Sequence, residues 1–261
     1  MISALSDGAA VLAGAVLAAA APSQPTKAPT GPFPIVELRQ YTLYDGQRDV
    51  LIDLFERQFI ESQEALGMKV IGTFRDLDRP NRFVWLRGFT DMDSRLAGLS
   101  GFYGGPLWQA HRNEANATIA DSDNVLLLRA SDASAAFKPQ PHRPQLGERR
   151  AAHRIVATIY YLKGDPAASA QRFRSSVVPK LKTAGVPLLA WFTTEPAANN
   201  YPRLPVREGE KVLVWFASFS GDSAYQAHKA AIDKAAAALR PDFQREPETL
   251  RLEPTARSEL R

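Results

Sequence analysis

The chain has no cysteine in its 261 residues. That excludes disulfides, cysteine-ligated zinc, iron–sulfur clusters and thiol nucleophiles in one step, and leaves the redox compartment open. Charge of one sign is also scarce. With 32 basic and 28 acidic residues the net charge is +4, short of the basic, aromatic-interleaved face of a nucleic-acid binder. The apolar stretch at residues 9–21 is too short for the roughly 20 residues that span a bilayer, so no stable membrane span is expected. Phosphate-cradling loops are missing as well. Gly98-Leu99-Ser100-Gly101 and Gly104-Gly105 lack the lysine of a P-loop and read as helix-breaking turns. No strand–turn–helix elbow supports Ser-His-Asp chemistry.

What is present is length enough to bury one or two cores without a covalent staple. The content, 45% hydrophobic and 23% charged, is that of an ordinary globular protein. Residues 1–32 stand apart: an alanine-rich stretch runs into Pro22, Pro25, Pro29 and Pro32. They are expected to form a disordered or signal-like leader, with Ala19-Ala20-Ala21 as a small-residue cleavage site. Cleavage there implies export; without it the chain stays cytoplasmic. Residues 132–152 gather proline with His142, Arg143, Arg149 and Arg150 and are expected to be a solvated linker.

The rest of the sequence repeats an order of features. Gly67, Ile71-Gly72-Thr73-Phe74, Val84-Trp85, Phe89 and Gln109-Ala110-His111 recur as Gly185, Leu189-Ala190-Trp191-Phe192, Val214-Trp215, Phe219 and Gln226-Ala227-His228. The spacing far exceeds the roughly 20–50 residues of a solenoid repeat, so two domains are expected, at 33–131 and 153–255, with a tail at 256–261. The Pro/Asn-rich residues 196–210 read as a lengthened hairpin loop of the second.

Period-two alternation and turn residues predict strands at Ile35–Leu43, Lys69–Asp76, Arg82–Phe89 and 124–130. Helical spacing of Leu51, Leu54, Phe55, Phe59 and Leu66 predicts a helix over 49–66, capped by Gly67. Further helical segments follow Thr90 or Asp91 and Pro106. The second half gives strands at 154–162, Leu188–Thr194, 211–219 and 249–252, and helices at 166–184 and 223–239. The class is α+β, and each half reads as β-α-β-β-α-β, the ferredoxin-like unit. Strands such as Val84-Trp85-Leu86 and Val125-Leu126-Leu127-Leu128 are apolar on both sides, so both faces of the sheet need cover. Two sheets packed face to face give a dimeric α+β barrel-type architecture, closed within one chain or by a homodimer.

The first half resembles the NIPSNAP family, a branch of the dimeric α+β barrel superfamily. The resemblance rests on Glu37-Leu38-Arg39-x-Tyr41-x-Leu43 before Gly46, on Gly72-x-Phe74, on Asn81-Arg82-Phe83-Val84-Trp85-Leu86 with Phe89, and on Arg95 and Trp108. It departs from the family pattern at Asp45-Gly46, where a Pro-Gly turn is usual, and at Gly104-Gly105-Pro106 ahead of the tryptophan. The second half lacks the Glu-Leu-Arg-x-Tyr signature and is similar in architecture alone. The resemblance implies no settled activity. Relatives in the superfamily include cofactor-free monooxygenases, haem enzymes, isomerases and small-ligand regulators, and fold alone does not choose among them.

Three residues are candidates for chemistry. Arg39 and Tyr41 share one face of the first strand, where a guanidinium fork could hold an enolate or carboxylate; the plainer alternative pairs Arg39 with Glu37 or Asp76 and leaves Tyr41 in the core. His111, matched by His228, is a candidate for proton transfer, although no second ligand at helical spacing completes a metal pair. Phe74, Trp85 and Trp108 are candidates to line a ligand cavity, with core packing the plainer role for aromatics on apolar strands. No metal and no cofactor are expected. The leading expectation is binding of a small apolar or aromatic molecule in a barrel cavity. The alternatives are a cofactor-independent monooxygenase or isomerase for an enolisable aromatic, and a structural association module.

Overall fold

The computed structural model describes residues 32–138, 142–148 and 152–261; all but the last residue of the expected leader at 1–32, and the linker residues Arg149 and Arg150, lie outside them. The first strand, β1, is Ile35–Leu43. After a turn at Gly46, helix α1 occupies 48–64. It is built from Arg48–Leu54, a π-helical turn Phe55–Phe59, and Ile60–Glu64. It ends at Gly67, whose φ of 81° is the left-handed conformation that glycine adopts without a Cβ clash.

β2 (Lys69–Asp76) and β3 (Arg82–Phe89) form the expected hairpin. Helix α2, Met92–Gly104, starts from a reciprocal capping box between Asp91 and Ser94, which satisfies two otherwise orphaned backbone donors. Here one expectation fails: Gly98 and Gly101 do not break the helix. They let it approach the turn between α1 and β2 closely, since a Cβ on Gly98 would sit 2.6 Å from Met68 Cγ and one on Gly101 3.2 Å from Leu66 Cδ2. Helix α3, Pro106–Thr118, opens with proline in its first turn, where no N–H is needed. A short strand that the sequence did not reveal, β4 (Ile119–Asp121), precedes β5 (Val125–Arg129).

The second half repeats the order. β6 is Arg154–Tyr161 and helix α4 spans 166–183, again with a π-helical turn, Phe173–Val177. β7 (Leu188–Thr194), β8 (Val212–Phe219), helix α5 (Asp222–Ala236) and β9 (Glu248–Pro254) complete it.

Eight of the nine described strands form one antiparallel ring, β3-β2-β9-β6-β8-β7-β5-β1, closed by β1 against β3, while β4 pairs with the end of β1. The halves join where Phe74 pairs with Pro254 and where Leu128 pairs with Thr194. Closure thus occurs within a single chain, and a second chain is not needed to complete the barrel. The face of β1 carrying Val36 and Leu38 looks into the barrel with Phe74, Val84, Phe192 and Phe216, all fully buried. The other face carries Ile35 and Tyr41 against Phe55, Phe59 and Leu99 of the helices.

The barrel interior is therefore filled by side chains, and the expected barrel cavity is displaced to the space between sheet and helices. Phe74, expected at a ligand site, belongs to this interior. Its ring lies over Gly72, where an added Cβ would come within 2.3 Å of Phe74 Cζ. Gly72→Ala is expected to cost about 1–3 kcal/mol, the usual range for overpacking a filled core. Urea unfolding measures it, and an unchanged midpoint would count against this packing.

The two Gln-Ala-His copies are not equivalent in the fold, contrary to expectation. His228 lies on α5, which follows β8 directly, as α2 follows β3. His111 lies one helix later, on α3. The matching tripeptides are a coincidence of composition on two different helices.

The described residues of the expected linker are packed, Phe137 against Phe192 and Phe216 of the second half and Arg143 on the first, and the expected tail is packed against the first half. Arg143 donates to the Val70 and Arg257 carbonyls and pairs with Glu64, and is not a solvated charge. Thr255 pairs with Thr73 through backbone and hydroxyl (2.9 and 2.6 Å). Arg257 Nη1 donates to the Glu56 carbonyl at 2.8 Å. Among the described residues no helix is long and apolar enough to cross a membrane.

Candidate functional site

Alternation along β1 places Glu37, Arg39 and Tyr41 on the helix-facing side, and register sets their neighbours. Glu37 lies opposite Arg87, Arg39 opposite Trp85, and Tyr41 opposite Phe83. From above, α1 supplies Phe55, Phe59 and Gln63, α2 supplies Arg95 and Tyr103, and α3 supplies Trp108.

At the centre one carboxylate meets three guanidiniums. Glu37 Oε2 accepts from Arg39 Nη1 at 3.0 Å and from Arg87 Nε and Nη2 at 3.0 and 2.6 Å. Glu37 Oε1 accepts from Arg95 Nε at 2.9 Å. All four side chains are 0% exposed. Burial by itself would raise the Glu37 pKa, but Arg87, Arg39 and Arg95 together hold it well below the usual carboxylate range. The plainer expectation for Arg39, a pair with Glu37, is what occurs, although in mid-sheet and not at its edge. Asp76 faces Arg79 and Arg82 instead.

Each arginine is held from a second direction. Arg87 Nη1 donates to Gln63 Oε1 at 2.9 Å, and Gln63 Nε2 to the Phe59 carbonyl at 2.8 Å. Arg95 Nη1 donates to Asn199 Oδ1 at 3.0 Å and to Asn200 Oδ1 at 2.6 Å. Those asparagines come from the β7–β8 loop of the second half, the Pro/Asn-rich stretch of the sequence. The same loop sends Tyr201, 7% exposed, to stack on Tyr103 at 6.2 Å and 26°. The second half thus covers the site of the first.

Arg39 Nε donates to Tyr41 Oη at 3.0 Å. The Tyr41 oxygen is the acceptor, and its own proton is donated to no described residue. Burial raises the Tyr41 pKa and outweighs the opposing pull of Arg39, so the phenol stays protonated at neutral pH. The buried donors Arg39 Nη2 and Trp85 Nε1 have no hydrogen-bond partner among the described residues, and Arg95 Nη2 meets Glu37 Oε1 only as an ion pair at 2.7 Å.

Beside this cluster is a cavity of about 100 Å³ whose walls include Tyr41, Phe59, Gln63, Trp85, Tyr103 and Trp108, with Leu204 reaching in from the second half. Trp85 packs edge-on to Phe55 at 4.8 Å and to Tyr41 at 6.0 Å. Arg39 lies behind the lining, its Cζ 5.4 Å from the Tyr41 ring centre and 5.7 Å from that of Trp85.

The structure therefore brings Arg39, Tyr41, Trp85 and Trp108 together and leaves out two expected members. Phe74 is on the opposite face of its strand. His111 is at the solvent edge of α3, its Nδ1 3.4 Å from Glu114 Oε2 and its ring against Phe59, and is not part of the cavity wall. Arg87 was missed, although it follows Trp85 by two residues on β3 and so shares its face. Asn199 and Asn200 carry no signal in sequence, because their role depends on the packing of one half on the other. Among the described residues no group of three or more histidine and acidic side chains is gathered as for a metal ion.

The second half has the same geometry without the charges. Thr158 lies opposite Trp215 and Val156 opposite Ala217, where the first half has Arg39 with Trp85 and Glu37 with Arg87. Tyr225, four residues beyond the N-cap Gly221 as Arg95 is beyond Asp91, takes the place of Arg95. Trp215 Nε1 donates to Tyr160 Oη at 3.1 Å, a bond that Trp85 does not make.

Residues 36–134 match the NIPSNAP family model, covering the half that holds the cluster. Among solved structures, a candidate monooxygenase from Lactobacillus acidophilus is 14% identical over 87% of this chain and 97% of its own, with a TM-score of 0.56. An anthrone oxidase-like protein is 12% identical over 85% and 91%, with a TM-score of 0.53. A NIPSNAP-like domain protein from Burkholderia xenovorans is 27% identical over 41% of this chain and 95% of its own, with a TM-score of 0.37. At such identities the two long matches establish the barrel fold and nothing finer. No curated protein matches the chain.

Proposed function

We propose that the chain is a small-molecule-binding protein built from two ferredoxin-like units related by duplication, with the binding site kept in the first. Supporting the duplication are the shared element order, the π-helical turn at the same place in α1 and α4, and the matching strand registers.

The observation that carries the binding reading is the Tyr41 hydroxyl. It belongs to the wall of an aromatic cavity, its oxygen is occupied by Arg39 Nε, and its proton is left for a ligand oxygen. A few fixed polar groups in an apolar concavity are the usual makings of a ligand site. Size limits the ligand. An engineered apolar cavity of roughly 150 Å³ holds benzene, so about 100 Å³ suits a five-membered ring or a comparably compact group. A fused polycyclic aromatic would need the β7–β8 loop to open.

A second reading has one observation in its favour. A buried phenol backed by a guanidinium is suited to stabilise an enolate oxygen, as an isomerase or cofactor-free oxygenase acting on an enolisable substrate would require. Against it, the polar side chains of the cavity wall are tyrosine, glutamine, asparagine and serine, and none is a general base near neutral pH. Binding without turnover is the better account.

Tyr41→Phe is expected to weaken ligand binding about tenfold, the value of one hydrogen bond lost to a buried acceptor, and to cost about 1–3 kcal/mol of stability because Arg39 Nε loses its acceptor. Native mass spectrometry of the purified protein identifies what copurifies, and calorimetric titration of wild type and variant compares affinities. Equal affinity in the variant would remove Tyr41 from the site, and turnover of an enolisable ketone would favour catalysis.

A further inference from the structure

Resting on the binding reading above, we infer that the ligand is a monoanion with a carboxylate or phenolate oxygen, seated with that oxygen at Tyr41 and its charge set against Arg39.

The cluster has too much positive charge for a sealed site. Arg39, Arg87 and Arg95 share the single carboxylate of Glu37, and all four are 0% exposed. Neighbouring acids are engaged elsewhere: Glu56 accepts from the Arg257 backbone and Asp49 from Arg75. Two positive charges remain unbalanced by any described residue. Charges held away from water are costly unless compensated.

The architecture does not require them. In the second half the same positions hold Val156, Thr158, Ala217 and Tyr225, and the register, the helix above and the buried tryptophan are retained. The carboxylate and all three arginines are absent together, as expected if they form one functional set. With Arg39 on the Tyr41 oxygen, the donors left over around Tyr41 are Arg39 Nη2, Trp85 Nε1 and the Tyr41 proton, while Arg95 Nη2 lies 2.7 Å from Glu37 Oε1. All three suit an oxygen anion, and none suits a cation.

Distance sets the size of the effect. An oxygen hydrogen-bonded to Tyr41 lies roughly 5–6 Å from the Arg39 guanidinium, given about 3 Å for each bond. At an effective dielectric of about 20, with Glu37 opposing, the attraction favours an anion over a neutral isostere by on the order of ten- to a hundredfold.

The test is calorimetric titration of the whole chain at neutral pH with 2-furoate and with 2-furamide, which share a small ring and differ in charge. Furoate is expected to bind at least ten times more tightly, with weak dependence on salt because the charges are buried. In Arg39→Met, which keeps an unbranched apolar stem and removes the guanidinium, the preference is expected to vanish. If that variant fails to fold, the wild-type ratio and its salt dependence decide. Equal binding of the two probes overturns the inference and leaves the binding reading standing. Binding of neither overturns both.

Discussion

Glu37→Gln is expected to destabilise the protein by about 3–5 kcal/mol, the range for removing one partner from a buried ion pair. The substitution keeps the volume and one oxygen acceptor, so it isolates the charge. In the native protein Glu37 compensates part of three guanidiniums, each with 0% exposure. Without it, Arg39, Arg87 and Arg95 repel one another in a site that water does not reach. Urea unfolding at pH 7 measures the loss, and a change below about 1 kcal/mol would show that the cluster is less sealed than its geometry indicates.

The same residue gives a pH signature. The folded pKa of Glu37 is held below the usual carboxylate range by Arg87, Arg39 and Arg95, against the effect of burial. In the unfolded chain it lies near 4.3. The unfolded state therefore binds the proton first, and stability falls as pH drops. The contribution is fully present above about pH 4.3 and declines through the more acid range below it. Wild type is expected to lose stability steeply there. Glu37→Gln, already weaker at neutral pH, is expected to have a shallower acid limb.

The second large effect is expected at the C-terminus. Ending the chain after Pro254 removes Thr255, Arg257, Ser258, Glu259 and Leu260, all at most 7% exposed. Thr255 and Leu260 extend the pairing begun by β9, donating from the backbone to Thr73 and Ile71. Arg257 satisfies the Glu56 carbonyl inside the π-helical turn of α1. Glu259 pairs with Lys69 and Arg143. Several hydrogen bonds at about 1 kcal/mol each, with one buried leucine at about 2 kcal/mol, put the loss on the order of 5 kcal/mol. α1 carries Phe55, Phe59 and Gln63, so ligand affinity should fall along with stability. Unfolding of the truncated chain near the wild-type midpoint would contradict this role.

Much of this was legible in sequence. β1, β2, β3 and β7 begin and end where alternation and turn residues place them, because one face of each must meet helices and the other a closed interior. Arg39 and Tyr41 were assigned to one face by period alone, and Trp85 and Trp108 join them. Three things were not legible. Phe74 was misassigned because an aromatic on a strand buried on both sides does not declare which side it serves. His111 stands outside the site because a repeated tripeptide does not mark a repeated position when the first half has an extra helix, α3. The covering of the site by Asn199, Asn200 and Tyr201 depends on the β7–β8 loop crossing from one half to the other, a contact with no local pattern. The packing of the tail and of Arg143 belongs with this third point, since polar segments outside helices and strands carry no periodicity.

A crystal structure of the protein grown with 2-furoate tests the central claim most directly. The account predicts density in the cavity between Tyr41 and Trp108, with a carboxylate oxygen about 2.5–2.8 Å from Tyr41 Oη, as for a hydroxyl donating to an anion. An empty cavity at saturating furoate, or furoate bound elsewhere with Tyr41 untouched, would contradict it.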